Sequence, residues 1–333
     1  MQNLTDKFGR VHNYLRVSLI DRCNLNCFYC NPKNNMAKSM PRKDIMSLEE
    51  VARMVEIFVV NHGFNKVRFT GGEPMLRNNI MQFFEMISKI KQNNDFEIAL
   101  TSNGTMLHDK LAKLQQLGLN KINLSLDTFD KSKFNYITGH DKITPVLKSI
   151  DEAEKLGFTP VKVNAVIMKG INNNEILDFV NYVKNRNINI RFIEFMPFGN
   201  NAWNDNKFMS YQDIKEVVEQ EFTLNPILSE KSTVAKDYNI KGYKGQVSFI
   251  SSISDHFCDS CNRLRITSSG KLKLCLFTNG VYALDFKEMF DNKLTNDEVS
   301  EQLLGAIKQK AEKHGVVQEL VTFDKNQMMT IGG

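Results

Sequence analysis

The sequence predicts an α/β protein, an incomplete (β/α)6 barrel. Three observations predict it: short apolar strands alternate with helical segments, each strand alternates polar and apolar residues, and chemically capable residues gather in the loops after the strands. The strands are expected at YLRVSLI (14–20), KVRFT (66–70), EIALT (97–101), KINLSLD (121–127), VKVNAVI (161–167) and NIRFIEFM (189–196). Ser47 with Glu50 reads as a capping box opening the helix after the first strand. Thr144 followed by Pro145 reads as an N-cap with proline at the first helical position.

The alternation within the strands decides how the sheet is shaped. One face carries Arg16 and Ser18, then Lys66, Arg68 and Thr70, Glu97 and Thr101, Asn123, Ser125 and Asp127, and Lys162 and Asn164, while Leu, Val, Ile and Phe fill the other. A parallel strand covered by helices on both sides is apolar throughout, and a full eight-stranded barrel fills its lumen with branched aliphatics. A partial, TIM-like barrel with a concave polar side satisfies the pattern, with an open sheet having one solvent-facing side as the alternative.

Composition narrows the function classes. The 333 residues hold 43 Lys and Arg against 38 Asp and Glu, a net charge of +5. That excess suits an anionic small molecule and falls short of the basic stripe of a nucleic-acid binder. No apolar run is long enough to span a membrane, and MQNLTDKFGR lacks a signal-peptide pattern, so a cytoplasmic location is expected. Six cysteines in such a chain point to reduced thiols that bind metal or react.

Those cysteines fall into two triads. Cys23, Cys27 and Cys30 occupy RCNLNCFYCNP on the loop after the first strand; GGEP (71–74) follows the second strand and SNG (102–104) the third. Paired glycines let a loop backbone come close to a ligand, with its N–H and C=O groups unshielded by side chains. Three thiolates on an iron–sulfur cubane leave one iron open, whereas structural zinc takes four ligands. Cys258, Cys261 and Cys275 form a second set, C-x2-C-x13-C, with Arg263 and Arg265 inside it. Its spacing leaves a cluster and a zinc site with His256 as fourth ligand equally open.

The C-x3-C-x2-C motif with Tyr29 before its last cysteine, followed by GGEP, resembles the radical S-adenosylmethionine superfamily. LRVSLIDRCN, KVRFTGGEPMLR, LTSNG, INLSLD, VKVNAVIMKG, RFIEFM, FCDSCNRLRIT and the terminal Gly-Gly carry the likeness further, over essentially the whole chain, to the family of such enzymes that cyclise GTP early in molybdenum cofactor biosynthesis. Two positions depart from that family's usual pattern: Asn26, where arginine precedes the second cysteine, and Asn31, where methionine precedes the proline.

The resemblance implies the following. Cys23, Cys27 and Cys30 hold one [4Fe-4S] cluster, and Tyr29, Gly72, Ser125 and Met196 line S-adenosylmethionine. Arg16, Arg68, Thr101, Lys162, Arg263, Leu264 and Arg265 bind GTP, and Cys258, Cys261 and Cys275 hold a second [4Fe-4S] cluster whose open iron takes the guanine edge. Arg16, Gly332 and Gly333 serve catalysis, the tail entering the site. A radical drawn from S-adenosylmethionine takes the ribose C3' hydrogen, and C3' closes on C8. Expected partners are a flavodoxin- or ferredoxin-like electron donor and cyclic pyranopterin monophosphate synthase as the next enzyme; a homodimer is compatible, and nucleic acid and membrane are not expected. The rivals are a radical enzyme acting on a peptide and a zinc-dependent binding protein.

By this reading residues 1–230 form the partial-barrel core, and 231–333 a smaller domain with the second cluster and the tail, covering the open side. The stretch from Ser210 to Lys236 reads as a helix and a polar linker. Thr295 to Gly315 reads as an amphipathic helix in which Leu303, Ala306, Ile307 and Lys310 are packing positions. His12, His62, His108, His140 and His314 show no ligand spacing.

Overall fold

The computed structural model describes residues 2–31, 40–198, 201, 203–228, 232–255, 257–277, 281–315 and 328–331. Six parallel strands form the centre: β1 (Tyr14–Ser18), β2 (Lys66–Thr70), β3 (Glu97–Ser102), β4 (Leu119–Ser125), β5 (Val161–Ile167) and β6 (Ile188–Glu194). These are the six expected segments, with ends shifted by at most two residues. Each alternates as the sequence predicts. Val67 and Phe69, Ile98 and Leu100, and Val161, Val163 and Ala165 are wholly buried in one continuous core under the helices, while Lys162 and Asn164 alternate with them on the other face.

The sheet continues past both edges of this centre. The C-terminal third supplies β7 (Leu224–Pro226), β8 (Ala235–Ile240), β9 (Gln246–Ile250), β10 (Arg263–Ile266), β11 (Lys271–Lys273) and β12 (Leu284–Asp285). The order is β12-β11-β10-β1-β2-β3-β4-β5-β6-β9-β8-β7. β10 pairs parallel with β1 and β9 parallel with β6, so eight consecutive strands run the same way. The fold is an incomplete barrel whose C-terminal part covers the opening by extending the same sheet from both ends. A bare barrel strand exposes a row of unpaired N–H and C=O groups, and β9 and β10 satisfy them.

Several helix starts follow local chemistry. The capping box of Ser47 and Glu50 is present at Leu48–Glu56, and Thr295 with Glu298 forms another at Asn296–Ile307. The helix at Thr144 begins earlier, over Ile143–Lys155, with Lys142 as its cap. Pro145 still lies in the first turn, where its missing N–H has no intrahelical acceptor to lose. The polar stretch after Tyr211–Glu219 holds more than a linker: β7 and the start of β8 lie in it, and β7 pairs antiparallel with the far end of β8, Tyr238 to Ile240. Three-residue strands rich in polar residues at a sheet edge carry too little alternation to be read beforehand.

Candidate functional site

Three loops at the C-terminal ends of β1, β2 and β3 lock together. Gly72 N–H donates to the Ile20 carbonyl at 2.7 Å and Glu73 N–H to the Arg22 carbonyl at 2.8 Å. A Cβ on Gly72 would fall 2.2 Å from Arg22 O, so only glycine permits this approach to the cysteine loop. Glu73, fully buried, accepts from Ser102 Oγ (2.8 Å), Met75 N–H (3.0 Å) and Asn103 N–H (2.7 Å). Burial outweighs those donors and lifts its carboxyl to about 7. Sequence reasoning valued the glycines of GGEP and missed its glutamate as the strut between two loops.

The first triad sits on that platform. Cys30 and Asn31 N–H both donate to the Cys27 carbonyl, at 2.9 and 2.8 Å, which turns the chain so the three thiols interact. Leu25 N–H and Asn103 Nδ2 lie 3.5 Å from Cys23 Sγ, and the Met329 backbone N–H bonds Cys30. Burial pushes all three thiols up, Cys27 well above the usual range and Cys30 to about 12. Such a thiol ionises when a metal replaces its proton, and N–H donors at sulfur are what a bound cluster uses. All six cysteines are free. Among the described residues no three His, Cys, Asp or Glu side chains form a site for a single metal ion; a cubane spreads its thiolates wider than one ion does. The donor set fits an iron–sulfur cluster. Asn26 and Asn31, the two departures from the family pattern, hydrogen-bond each other at 2.8 Å.

Tyr29, Gly72, Ser125 and Met196 all come to this end of the barrel. Tyr29 OH donates to Asp127 Oδ2 at 2.7 Å, and Asp127 Oδ1 accepts from Val166 N–H, which ties the loop to β4 and β5. Burial raises the Asp127 carboxyl to about 6. Ser125 is opposite Asn164 in the sheet, and Met196 reaches the cavity below.

That cavity, about 790 Å³, fills the concave side of the sheet. Arg16, Arg68, Thr101, Lys162, Arg263 and Arg265 line it, as expected. Leu264 does not: it is on the other face of β10, wholly buried in the apolar core, because alternation turns it away from its two arginine neighbours. Arg191, which the expectation omitted, also lines the wall, and the alternation of Asn189 and Arg191 with Ile188, Ile190 and Phe192 was the signal that could have found it.

Like charges stand directly opposite here. Arg265 faces Arg16 and Arg16 faces Arg68 across three neighbouring strands, an arrangement that destabilises a sheet unless an anion joins it. Burial and neighbouring cations together lower Arg16 well below its ordinary value, Arg191 and Arg265 to about 10 and Lys162 to about 8. Burial alone would raise the Tyr14 phenol, but Arg68 and Arg16 outweigh it and bring it to about 7. Carboxylates offset this only in part: Glu97 pairs with Lys66 at 2.5 Å, Asp127 accepts from Tyr29, and Asp237 counters the lowering at Arg191 and Lys162 without cancelling it. Asn123 Oδ1, Asn164 Oδ1 and one Arg265 Nη are buried without a hydrogen-bond partner among the described residues.

The second triad flanks the same cavity. Cys258 and Cys261 bracket a single turn before β10, and Cys275 follows β11. Burial raises the Cys258 thiol, whereas at Cys261 Lys310 and Arg263 outweigh burial and lower it. His256 lies outside the described residues, as do Gly332 and Gly333. Their neighbours Met328–Ile331 form one turn, with Met328 on the cavity wall and Ile331 packed against Phe198, Ile253 and Phe277.

Residues 17–183 match the model of the Radical SAM superfamily, and residues 188–316 that of Molybdenum Cofactor Synthesis C. The GTP 3',8-cyclase of Thermodesulfovibrio yellowstonii is 41% identical over 331 residues, covering 99% of this chain and 100% of that one. The chain belongs to the GTP 3',8-cyclase family. The mitochondrial GTP 3',8-cyclase of Arabidopsis thaliana is 40% identical, with 99% and 83% covered. Molybdenum cofactor biosynthesis protein 1 of Dictyostelium discoideum is 41% identical, and there this chain spans 52% of the longer relative. Among solved structures, Streptococcus suis SuiB bound to S-adenosylmethionine shares the fold, with a TM-score of 0.60 at 14% identity over 91% of this chain and 69% of that one. The anSMEcpe structure with bound S-adenosylmethionine and a peptide gives 0.55 at 14%, over 92% and 83%. Among the described residues no helix is long and apolar enough to cross a membrane.

Proposed function

We propose that the chain converts GTP to (8S)-3',8-cyclo-7,8-dihydroguanosine 5'-triphosphate, an early step of molybdenum cofactor biosynthesis. The row of opposed arginines under the cysteine loops carries the reading, since like charges set side by side favour binding of a polyanion. Cys23, Cys27 and Cys30 would hold one [4Fe-4S] cluster, with Tyr29, Gly72, Ser125 and Met196 around S-adenosylmethionine. Together these groups supply, when bound, a radical able to remove a hydrogen atom from the ribose. Arg16, Arg68, Thr101, Lys162, Arg191 and Arg265 hold the triphosphate at the floor, which orients the ribose toward the cysteine loops and displaces water. Arg263 lies nearest the second triad, read here as a second [4Fe-4S] cluster facing the guanine. Gly332 and Gly333 would follow the turn at Met328–Ile331 into the cavity. On this reading residues 1–230 generate the radical and hold most of the triphosphate, and 231–333 add the second cluster, Arg263, Arg265 and the tail. An electron donor of flavodoxin or ferredoxin type and cyclic pyranopterin monophosphate synthase are the partners this chemistry calls for.

The test is anaerobic incubation with GTP, S-adenosylmethionine and a reductant. The expected result is 5'-deoxyadenosine formed in step with a product isomeric with GTP, separated from it by chromatography. Unchanged GTP, or 5'-deoxyadenosine formed at the same rate without GTP, refutes the reading.

A further inference from the structure

Lys310 lies three residues past the helix Asn296–Ile307 and is 3% exposed. Its Nζ donates to the carbonyls of Arg263 at 2.8 Å and Leu274 at 2.6 Å, and lies 3.8 Å from Cys261 Sγ. An ammonium has three N–H donors, and this geometry uses all of them. Two hold backbone beside the second triad: Arg263 follows Cys261 by two residues, and Leu274 precedes Cys275. The third is directed at a cysteine sulfur.

Arg10 braces the same assembly from the other side. Its Nη1 donates to the carbonyls of Cys258 and Glu312, both at 2.8 Å, its Nη2 to Ala311 at 2.7 Å, and its Nε pairs with Asp6 at 2.6 Å. The chain just after Lys310 is thereby tied to the backbone of Cys258. Among the described residues the first triad meets no such cation: the donors at its sulfurs are the neutral N–H groups of Asn24, Leu25, Asn103 and Met329 and the side chain of Tyr29.

We propose that Lys310 is the counter-cation and positioning residue of the second triad. It aims Cys261 Sγ and, once that sulfur is bonded to iron, withdraws electron density from it through a charged N–H···S contact, which raises the reduction potential of the cluster. The inference rests on reading this triad as an iron–sulfur site. Hydrogen bonds and charge at the sulfurs are established levers on cluster potential. A buried ammonium also needs an anion beside it, and an iron-bound thiolate cluster supplies one. With a cation at one triad and, among the described residues, none at the other, the two clusters differ in potential, and the open iron of the second is the more electron-poor.

The experiment uses the full-length chain, anaerobically reconstituted, as wild type and as Lys310→Met, Lys310→Gln and Lys310→Arg. Iron content and the midpoint potential of each cluster, followed by electron paramagnetic resonance, are measured. In Lys310→Met and Lys310→Gln the second cluster shifts to a more negative potential while the first stays in place, and Lys310→Arg restores most of the shift. Unchanged potentials in both neutral variants overturn the inference, as does an Arg variant that behaves like the neutral ones, since Lys310 is then only a backbone bolt. Gln retains two donors without the charge, which keeps the test usable where Met does not fold. Wild-type protein holding about four iron instead of about eight, with none lost in Cys258→Ser, fails the cluster reading itself and is a separate result.

Discussion

The two cysteine triads are built in opposite ways. The first is a single loop of eight residues, braced by neutral donors, whose buried thiols are all pushed up. The second is gathered from two segments on either side of β10 and β11, among Arg10, Arg263 and Lys310, and Cys261 is lowered there. The difference separates two tasks. On the proposed reading a local loop suffices to hold a metal group above the barrel, whereas the site that meets the triphosphate lies where the sheet has collected cations.

The largest effect expected on this contrast is at the first loop. Gly72→Ala would put its Cβ within 2.2 Å of Arg22 O and force the GGEP and cysteine loops apart. Iron should fall from about eight to about four per chain, with the second cluster spectrum intact; full iron in both sites would show that the loops can yield.

Serine replacements divide the triads by task. Cys27→Ser should abolish 5'-deoxyadenosine formation, whereas Cys261→Ser should lose GTP turnover and keep the first cluster's spectrum and iron. Identical behaviour of the two variants would erase the contrast.

Charge removal on the floor should act in two directions. Arg191→Met should weaken GTP binding by about 1–3 kcal/mol, the range for a charge-assisted contact. It should also raise the thermal stability of the ligand-free protein, since one member of a repelling set is gone. Loss of stability together with unchanged affinity would make Arg191 a structural residue.

A smaller effect follows from pH. Burial, with Arg191 and Arg68 nearby, brings Lys162 down to about 8 in the ligand-free chain. A triphosphate favours the ammonium and raises that value on binding. Affinity should therefore be level with respect to Lys162 below pH 8 and fall above it, by at most about tenfold per unit. Tyr14, at about 7, adds a negative charge on the same side and works in the same direction. Equal affinities at about pH 7 and 9.5 would separate both groups from the phosphates.

The smallest effect is at a helix start. Ser47→Ala removes the capping box of Leu48–Glu56 and should cost about 1 kcal/mol of stability. GTP affinity should not change; a fall would mean that this helix positions the loops.

The sequence by itself determined the centre of the molecule: six alternating strands, the polar side of each, the tight thiol loop and the glycines that meet it. These are legible because a strand's period of two and a turn's need for glycine are local properties. Tertiary structure decided the rest. It joined β9 and β10 to the two edges of the barrel, set Arg265, Arg16 and Arg68 in one row and brought Lys310 to Cys261. Each depends on which segments become neighbours across long separations. Strand pairing and burial settle that choice for the chain as a whole, and no short window of sequence contains it.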